Sequence, residues 1–403
     1  MGRRASLFSW TLALAAGWVA LAELDYRARD PDSRLYAEMA ARMAQAPASS
    51  WIAPDFPPGW YMNGPFREHP VGLLLPAAAA ARLGYPAEQA AYAVNAVYQV
   101  LTIVLVQRLA ATLVPGLEAR ALGWLVQLLP VAFTFRIRAN HEQAVLLCLV
   151  AALYGIERAR ARPRWAILTA FALVGLLLVK GVLAVFGPVL CVLWLLSRRA
   201  TAEAGAPADR AAWLGLAAGV GAMGLAAGAY EHLYRQATGE AFWSFYLARQ
   251  LGVAAAGEGR AFPTVAYNLV WYLARVIWFA FPGSLGLLAA AWRSRPFHFG
   301  AAEPASARGA RTGGLFAAAT LVSYVVLFSL SDRRADRYIF PVYYAVGAAG
   351  AIAMVRAPGG LRRVAERLDR PWIPAAVWAA AFGAHLLAGR LGLPTVSVWA
   401  PSP

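Results

Sequence analysis

Long apolar segments, separated by short arginine-rich connections, run through almost the whole chain. They are rich in Leu, Ala, Val and Phe, and most are long enough to cross the hydrocarbon core of a bilayer as an α-helix. Of its 403 residues 60% are hydrophobic, which is too many for the water-exposed surface of a soluble protein. We therefore predict an all-α, polytopic integral membrane protein with about eleven transmembrane helices in a single transmembrane domain, residues 1–403. The predicted spans lie at about 7–24, 88–113, 121–136, 142–157, 165–180, 182–197, 211–230, 264–292, 314–331, 338–355 and 372–389.

Arginines cluster in four of the connections, at 158–164, 198–210, 293–311 and 356–370. Inner-membrane proteins concentrate Lys and Arg in their cytoplasmic loops, so these connections should be cytoplasmic, with the N-terminus inside and the C-terminus outside. The Ala- and Arg-rich composition is typical of a bacterium with GC-rich DNA. Together with the arginine-rich connections, it predicts a protein of the bacterial inner membrane. The net charge of +16 does not predict a nucleic-acid partner, because no basic stripe with stacking aromatics lies on a soluble module.

The N-terminal apolar run leaves one alternative open. Ala20-Leu21-Ala22 resembles a signal-peptidase site, and cleavage there competes with an uncleaved anchor. We favour the anchor, because the polar loop that follows needs tethering to the bilayer.

Residues 25–84 form the first polar segment, where carboxylates, arginines, a histidine and aromatics gather outside the predicted spans. Within it, Leu35, Met39 and Met43 recur at helical spacing, which predicts a helix from Pro31 to about residue 46 with Asp30 as its N-cap. That helix is too polar to span a bilayer and should lie at the interface. The short apolar run at 71–83 predicts a second interfacial helix.

Five short motifs follow one another in an order that matches a known family. They are DSRLYAEMAAR at 32–42, EHPVG at 68–72, NHE at 140–142, VKG at 179–181 and RYIFP at 337–341. They resemble segments of the GT-C superfamily of polytopic glycosyltransferases, in the branch that contains aminoarabinose transferases and protein O-mannosyltransferases.

Three positions depart from the family's motifs. Ser33 replaces a second acidic residue, His69 stands where many members have Lys, and Val71 replaces a second proline.

The resemblance implies a membrane glycosyltransferase that moves a sugar, with inversion, from a polyprenyl-phosphate-linked donor to an acceptor hydroxyl on a glycan, lipid or protein. The reaction would take place on the extracytoplasmic face, with residues 25–84 as the catalytic loop and Asp32 as general base. We expect no cofactor and no metal. The candidate substrate-binding residues are Tyr36, Glu38, Glu68, His69, His141 and Glu142, and the candidate phosphate-binding residues are Lys180, Arg334 and Arg337.

Six of the candidates also have a purely structural interpretation. Asp32 suits any helix start, Glu38 could pair with arginines one turn away, and Asp30-Pro31-Asp32 matches a D-x-D metal signature as well as a helix start. His69 could be a loop residue, and His141 and Glu142 could be a polar cap. Lys180, the only lysine of the chain, could snorkel at a helix end.

The competing function is a transporter or flippase of lipid-linked saccharides. That class predicts repeated halves and charges near mid-bilayer. The sequence shows no convincing repeat, and most of the charge on the predicted outer side lies in loops.

Overall fold

The computed structural model describes residues 3–22, 30–60, 62–114, 116–135, 138–202, 209–255, 262–293, 305–331, 334–357 and 360–391. These residues are mostly helical and form no strand, which confirms the all-α prediction. The helices are α1 Arg3–Ala22, α2 Pro31–Gln45, α3 Leu74–Arg82, α4 Ala87–Leu113, α5 Leu117–Gln127, α6 Pro130–Phe135, α7 His141–Ala159, α8 Ala166–Lys180, α9 Phe186–Ala200, α10 Arg210–Thr238, α11 Phe242–Ala255, α12 Phe262–Phe279, α13 Gly283–Arg293, α14 Ala305–Ser329, α15 Phe340–Arg356, α16 Gly360–Leu368 and α17 Ile373–Arg390.

Helix α7 lies in the middle of the bundle, between α4 on one side and α8 on the other. Helix α8 in turn packs on α10, and α15 packs on α5, α13 and α14. The main core is made of side chains such as Ile156, Leu173 and Tyr343, which are fully buried. Small residues allow the closest approaches: a Cβ on Gly283 would meet the backbone of Gly347 at 2.5 Å.

Several of these helices can cross a membrane. Among the described residues, five helices are long and apolar enough to do so, or six when the pair α12 and α13 is taken as one span. Most helices fall on the predicted apolar segments, but the segment predicted as one span at 121–136 is divided between α5 and α6. The chain is a multi-pass membrane protein, and the count of eleven spans is not confirmed. The segment predicted as one span at 264–292 is bent by 106° between α12 and α13.

In the first polar segment, helices α2 and α3 form where the sequence predicts helices. Residues 25–29 and 61 lie outside the described part of the chain. Asp30 is the N-cap of α2, and Leu35, Met39 and Met43 are buried along one stripe. These side chains join a second core with Phe66, Leu74, Tyr230 and Tyr246. The segment is thereby packed against α8, α10 and α11, which fixes the position of its polar groups.

Candidate functional site

The N-terminus of α2 is tied to the residues that precede α7. The Asp30 carboxylate accepts hydrogen bonds from the Ser33 backbone N–H at 3.3 Å and from the Ser33 hydroxyl at 2.7 Å. The same hydroxyl accepts a bond from the backbone N–H of Ala139 at 3.1 Å. Ser33, a departure from the family motif, therefore holds α2 next to the start of α7, and this contact positions Asp32.

Asp32 forms an ion pair with Arg337, which lies in the 3₁₀ turn Asp336–Ile339 just before α15. About a third of each side chain is exposed, 34% for Asp32 and 39% for Arg337. The pair joins an early segment to a late one and places a carboxylate and a guanidinium together at the edge of the bundle.

Three aromatic rings meet beside this ion pair. The rings of His69 and His141 are 4.3 Å apart between centroids, and those of Tyr36 and His141 are 4.8 Å apart, both edge to face. The side chain of Asn140 caps α7 by accepting a bond from the His141 backbone N–H at 2.8 Å, and its oxygen lies 3.1 Å from His141 Nδ1.

Burial controls the ionisation of two of these groups. Desolvation, with the nearby charges of Lys180, Arg337 and Arg249, lowers the pKa of His69 well below its ordinary 6.5. Desolvation, with the charges of Asp32 and Glu68, raises the pKa of Tyr36 well above its ordinary 10.0. Both side chains are therefore neutral at physiological pH.

A small cavity lies next to the rings. It is lined by His141, Glu142, Lys180 and Arg337. Its space is about 380 Å³, including its open side. Glu142 is 5% exposed, and its Oε2 has no hydrogen-bond partner among the described residues. Lys180 and Arg337 line the same cavity as this carboxyl group. The cavity thus combines one buried carboxyl group with two cations, an arrangement that suits an anionic group bound between them.

Lys180 lies at the C-terminal end of α8, where the helix breaks. Gly181 has φ +56°, and a Cβ there would lie 2.4 Å from the hydroxyl oxygen of Tyr246. That hydroxyl donates to the backbone carbonyl of Lys180 at 3.0 Å and accepts from the N–H of Val182 at 3.1 Å. Glycine is needed at this break for its left-handed backbone and for the close approach of Tyr246.

The other three candidates have partners of their own. Glu68 accepts a bond from Arg249 at 2.6 Å. Glu38 bonds Arg42 at 3.3 Å and the Trp60 indole N–H at 3.2 Å. The guanidinium of Arg334 lies 4.6 Å from the centre of the Tyr267 ring, and the side chain is exposed. The structure therefore brings together Asp32, Tyr36, His69, His141, Glu142, Lys180 and Arg337, and the last four of these line the cavity. Glu68 lies beside this group through Arg249, whereas Glu38 and Arg334 contact other residues.

Sequence reasoning missed two contributors from α11. Tyr246 holds the break after Lys180, and Arg249 binds Glu68 beside His69. One sequence signal could have indicated this helix. It is the helical spacing of three aromatic residues, Phe242, Trp243 and Tyr246, in a short segment with polar residues on both sides. Spacing alone does not reveal that this helix packs on two distant turns.

The two carboxylates of the D-x-D triplet have different partners. Asp30 is bonded to Ser33, and Asp32 is paired with Arg337. Within the described ranges, no group of three or more His, Cys, Asp or Glu side chains is arranged to hold a metal ion.

A larger apolar cavity lies next to the small one. It has about 790 Å³ of space, including its open mouth, and is bounded by α4, α5, α7, α9, α14 and α15. Its walls are made of Leu, Val, Ala and aromatic side chains. Leu149 and Pro341 line both cavities, so a polar site and an apolar groove share one wall.

Comparisons with known proteins give a partial match to one family model and several similar folds. Residues 68–223 match the family model described as dolichyl-phosphate-mannose-protein mannosyltransferase. The fold is similar to ArnT from Cupriavidus metallidurans bound to undecaprenyl phosphate, with a TM-score of 0.65 and 18% identity over 96% of this chain and 74% of that one. The predicted resemblance to the GT-C superfamily is confirmed.

Two further GT-C comparisons give the same fold. ArnT in the apo state has a TM-score of 0.63 and 22% identity, and the match covers 94% of this chain and 64% of that one. The Archaeoglobus fulgidus oligosaccharyltransferase in complex with Zn and sulfate has a TM-score of 0.50 and 14% identity, covering 96% of this chain and 52% of that chain. Among curated proteins no sequence matches the chain. The family model and the GT-C fold together indicate a glycosyltransferase, as the sequence predicted.

Proposed function

We propose that the chain transfers a sugar from a polyprenyl-phosphate-linked donor to an acceptor hydroxyl at the extracytoplasmic face of the bacterial inner membrane. The acceptor is a glycan, a lipid or a protein. The observation that carries the proposal is the shared wall formed by Leu149 and Pro341. A phosphate held by Lys180 in the small cavity would lie beside an apolar groove that suits an isoprenoid chain.

The donor phosphate would be held by Lys180 and Arg337. Arg337 is paired with Asp32 in the structure, and an incoming phosphate competes with that carboxylate for the guanidinium. Binding of the donor would release Asp32 from its cation. The released carboxylate would then be available to the acceptor hydroxyl, next to the position of the sugar.

The proposed reaction is a single displacement at the anomeric carbon. The acceptor oxygen forms a bond to that carbon, and its proton passes to the Asp32 carboxylate. The bond between the carbon and the phosphate oxygen breaks with its electron pair, and the configuration inverts. Lys180 and Arg337 stabilise the negative charge that develops on the departing polyprenyl phosphate.

The neutral groups beside the cations would hold the sugar. Tyr36, His69 and His141 form an aromatic wall, and rings of this kind pack against sugar C–H faces while their polar atoms bond hydroxyls. Glu142 has an unpartnered oxygen toward the same cavity and can accept a bond from a sugar hydroxyl. Glu38, Glu68 and Arg334 would then act at the rim, where the acceptor enters.

Donor binding can be tested with undecaprenyl phosphate on the purified protein by native mass spectrometry. We expect undecaprenyl phosphate to bind and undecaprenol, which lacks the phosphate, to bind far more weakly. Equal binding of the two lipids would contradict a phosphate site at Lys180 and Arg337. Mass spectrometry of cell-envelope glycans from a deletion strain would then identify the sugar and the acceptor.

A transporter would also bind the lipid, so chemistry must be measured separately. Reconstituted protein with a panel of polyprenyl-phosphate sugars should release polyprenyl phosphate when cell-envelope acceptors are added. Movement of the intact donor across the vesicle membrane, without release, would favour the flippase instead.

A further inference from the structure

Buried polar side chains meet at the interface of α4, α5 and α7, next to the larger apolar cavity, with which they share a wall made of Val106, Val126, Leu146 and Tyr344. Gln99 and Thr102 belong to α4, Gln127 ends α5, and Gln143 lies in the first turn of α7. Each is only 3–4% exposed. All four line one cavity with about 300 Å³ of space including its open side, and no charged residue is among its lining residues.

Each of the four side chains has a polar atom without a hydrogen-bond partner among the described residues. These atoms are Gln99 Oε1, Thr102 Oγ1, Gln127 Oε1 and Gln143 Nε2. Buried polar groups in folded proteins are almost always bonded, either to protein or to ordered water. Four such atoms around one cavity therefore indicate a shared partner within it.

The chemistry of these atoms defines the partner. Two are amide oxygens, which accept, one is a hydroxyl, which donates and accepts, and one is an amide nitrogen, which donates. Turning a glutamine amide over exchanges its accepting oxygen for its donating nitrogen. Only a ligand that both donates and accepts can satisfy such a set in either orientation. An ion would lack the charged partner that burial in a bundle requires.

The local fold explains the cavity. Helix α5 ends at Gln127 and α6 begins at Pro130, so this apolar segment is interrupted inside the bundle. Interrupted helices are tolerated at membrane depth where water or side chains satisfy the polar groups.

We propose that the cavity is a binding site for ordered water within the membrane-spanning bundle, held by Gln99, Thr102, Gln127 and Gln143. Water fits the space, which is small and bounded elsewhere by apolar side chains including Ile103 and Leu146. The proposal does not depend on sugar transfer, since none of these residues belongs to the proposed catalytic machinery.

Hydroxyl-radical labelling of the full chain in nanodiscs, read by mass spectrometry, tests the proposal directly. Radicals formed from bound water modify the side chains next to it. We expect Ile103 to be labelled although it is 3% exposed, while Leu176 and Leu195, each 1% exposed, stay unlabelled. Absence of label at Ile103 would overturn the proposal.

Isosteric variants give an independent test through the sign of the stability change. If water links the four groups, Thr102→Val or Gln143→Met leaves the remaining members unsatisfied, and the unfolding midpoint should fall by about 2–4 °C. In a dry cavity the same changes remove an unpaired group, so an unchanged or higher midpoint would contradict bound water.

Asn95→Leu is the matched control for these variants. Asn95 is a buried α4 amide with an unpartnered Oδ1, but it does not line the cavity. Because Asn95 Nδ2 donates to the backbone carbonyl of Ala91 at 3.0 Å, this variant is a control for labelling and not for stability. Asn95→Leu should leave the label at Ile103 intact, whereas Gln143→Met should reduce that label.

Discussion

Asp32 and Arg337 are 305 positions apart in the chain, yet their side chains form an ion pair. The pair joins the start of α2 to the turn before α15, and it lies beside the cavity that Arg337 shares with Glu142 and Lys180. The guanidinium of Arg337 engages the Asp32 carboxylate, so the state of this pair decides whether that carboxylate is available to an acceptor hydroxyl.

Asp32→Asn should abolish transfer while preserving the fold. The amide keeps the shape of the side chain but cannot take a proton, and loss of a general base costs about 100- to 10,000-fold in rate. The measurement is release of polyprenyl phosphate by the reconstituted protein. Asp30→Asn is the matched control, because Asn is an equally good N-cap and should leave most of the rate. Near wild-type turnover by Asp32→Asn would remove Asp32 from the role of base.

Lys180→Ala should weaken the binding of undecaprenyl phosphate by about 10- to 100-fold, the usual value of a hydrogen bond to a charged group. Lys180→Arg should restore binding only in part, because the guanidinium is larger and differently shaped. Native mass spectrometry against lipid concentration provides the measurement. If Lys180→Arg and Lys180→Gln both bind and transfer as wild type does, Lys180 only anchors the helix end.

Gly181→Ala should reduce both stability and transfer. An alanine at this position would have to keep the positive φ of Gly181, and its Cβ would lie 2.4 Å from the Tyr246 hydroxyl oxygen. The backbone at the end of α8, which positions Lys180, must therefore shift. Tyr246→Phe removes two hydrogen bonds at the same break, at a cost of about 1 kcal/mol each. Thermal unfolding and donor titration would separate stability from donor affinity.

Gly224→Ala is the control for the glycine change. Gly224 lies in α10, where nothing is within 4 Å of an added Cβ. This variant should behave as wild type. A Gly181→Ala protein with unchanged donor affinity would show that the break does not position Lys180.

Stability should fall as the pH drops below about 6.5, in part through His69. Its pKa is lowered by burial in the folded protein, so between that lowered pKa and 6.5 the unfolded chain binds more protons than the folded one. The slope is at most about 1.4 kcal/mol per pH unit for one group. His69→Gln cannot titrate, and its unfolding midpoint should depend less on pH between 7.5 and 5. An unchanged slope would show that His69 is not held neutral.

Reporter fusions can test the orientation of the bundle. Periplasm-sensitive reporters in the loops at 25–69, 231–263 and 331–337 should all be active, since the three loops contribute to one site. A cytoplasmic result for any of them would contradict a site on the extracytoplasmic face. A fusion in the arginine-rich connection at 198–210 should give the opposite result and serves as the internal control.

Much of the architecture could be predicted because it depends on local patterns. Apolar length predicts the helices, and the spacing of Leu35, Met39 and Met43 predicts the buried stripe of α2. The N-cap at Asp30 also follows from local chemistry. The 106° bend between α12 and α13 could not be predicted, because continuous apolar sequence suits both a straight and a broken helix.

The site was predictable only as a set of residue types. Motif order indicated Lys180 and Arg337, but it did not indicate that Arg337 would pair with Asp32 or that Glu68 would pair with Arg249. Such partners depend on packing between distant segments, which no single motif encodes.

The ion pair between the first polar segment and the turn before α15 has a consequence for biosynthesis. A ribosome that has delivered Asp32, Glu142 and Lys180 to the membrane has not yet delivered Arg337. The growing chain therefore carries its carboxylates without their late partner, and the arrangement closes only when α15 inserts. The proposed site would therefore be complete only after membrane insertion has finished. Partly synthesised chains would not react with the lipid carriers around them.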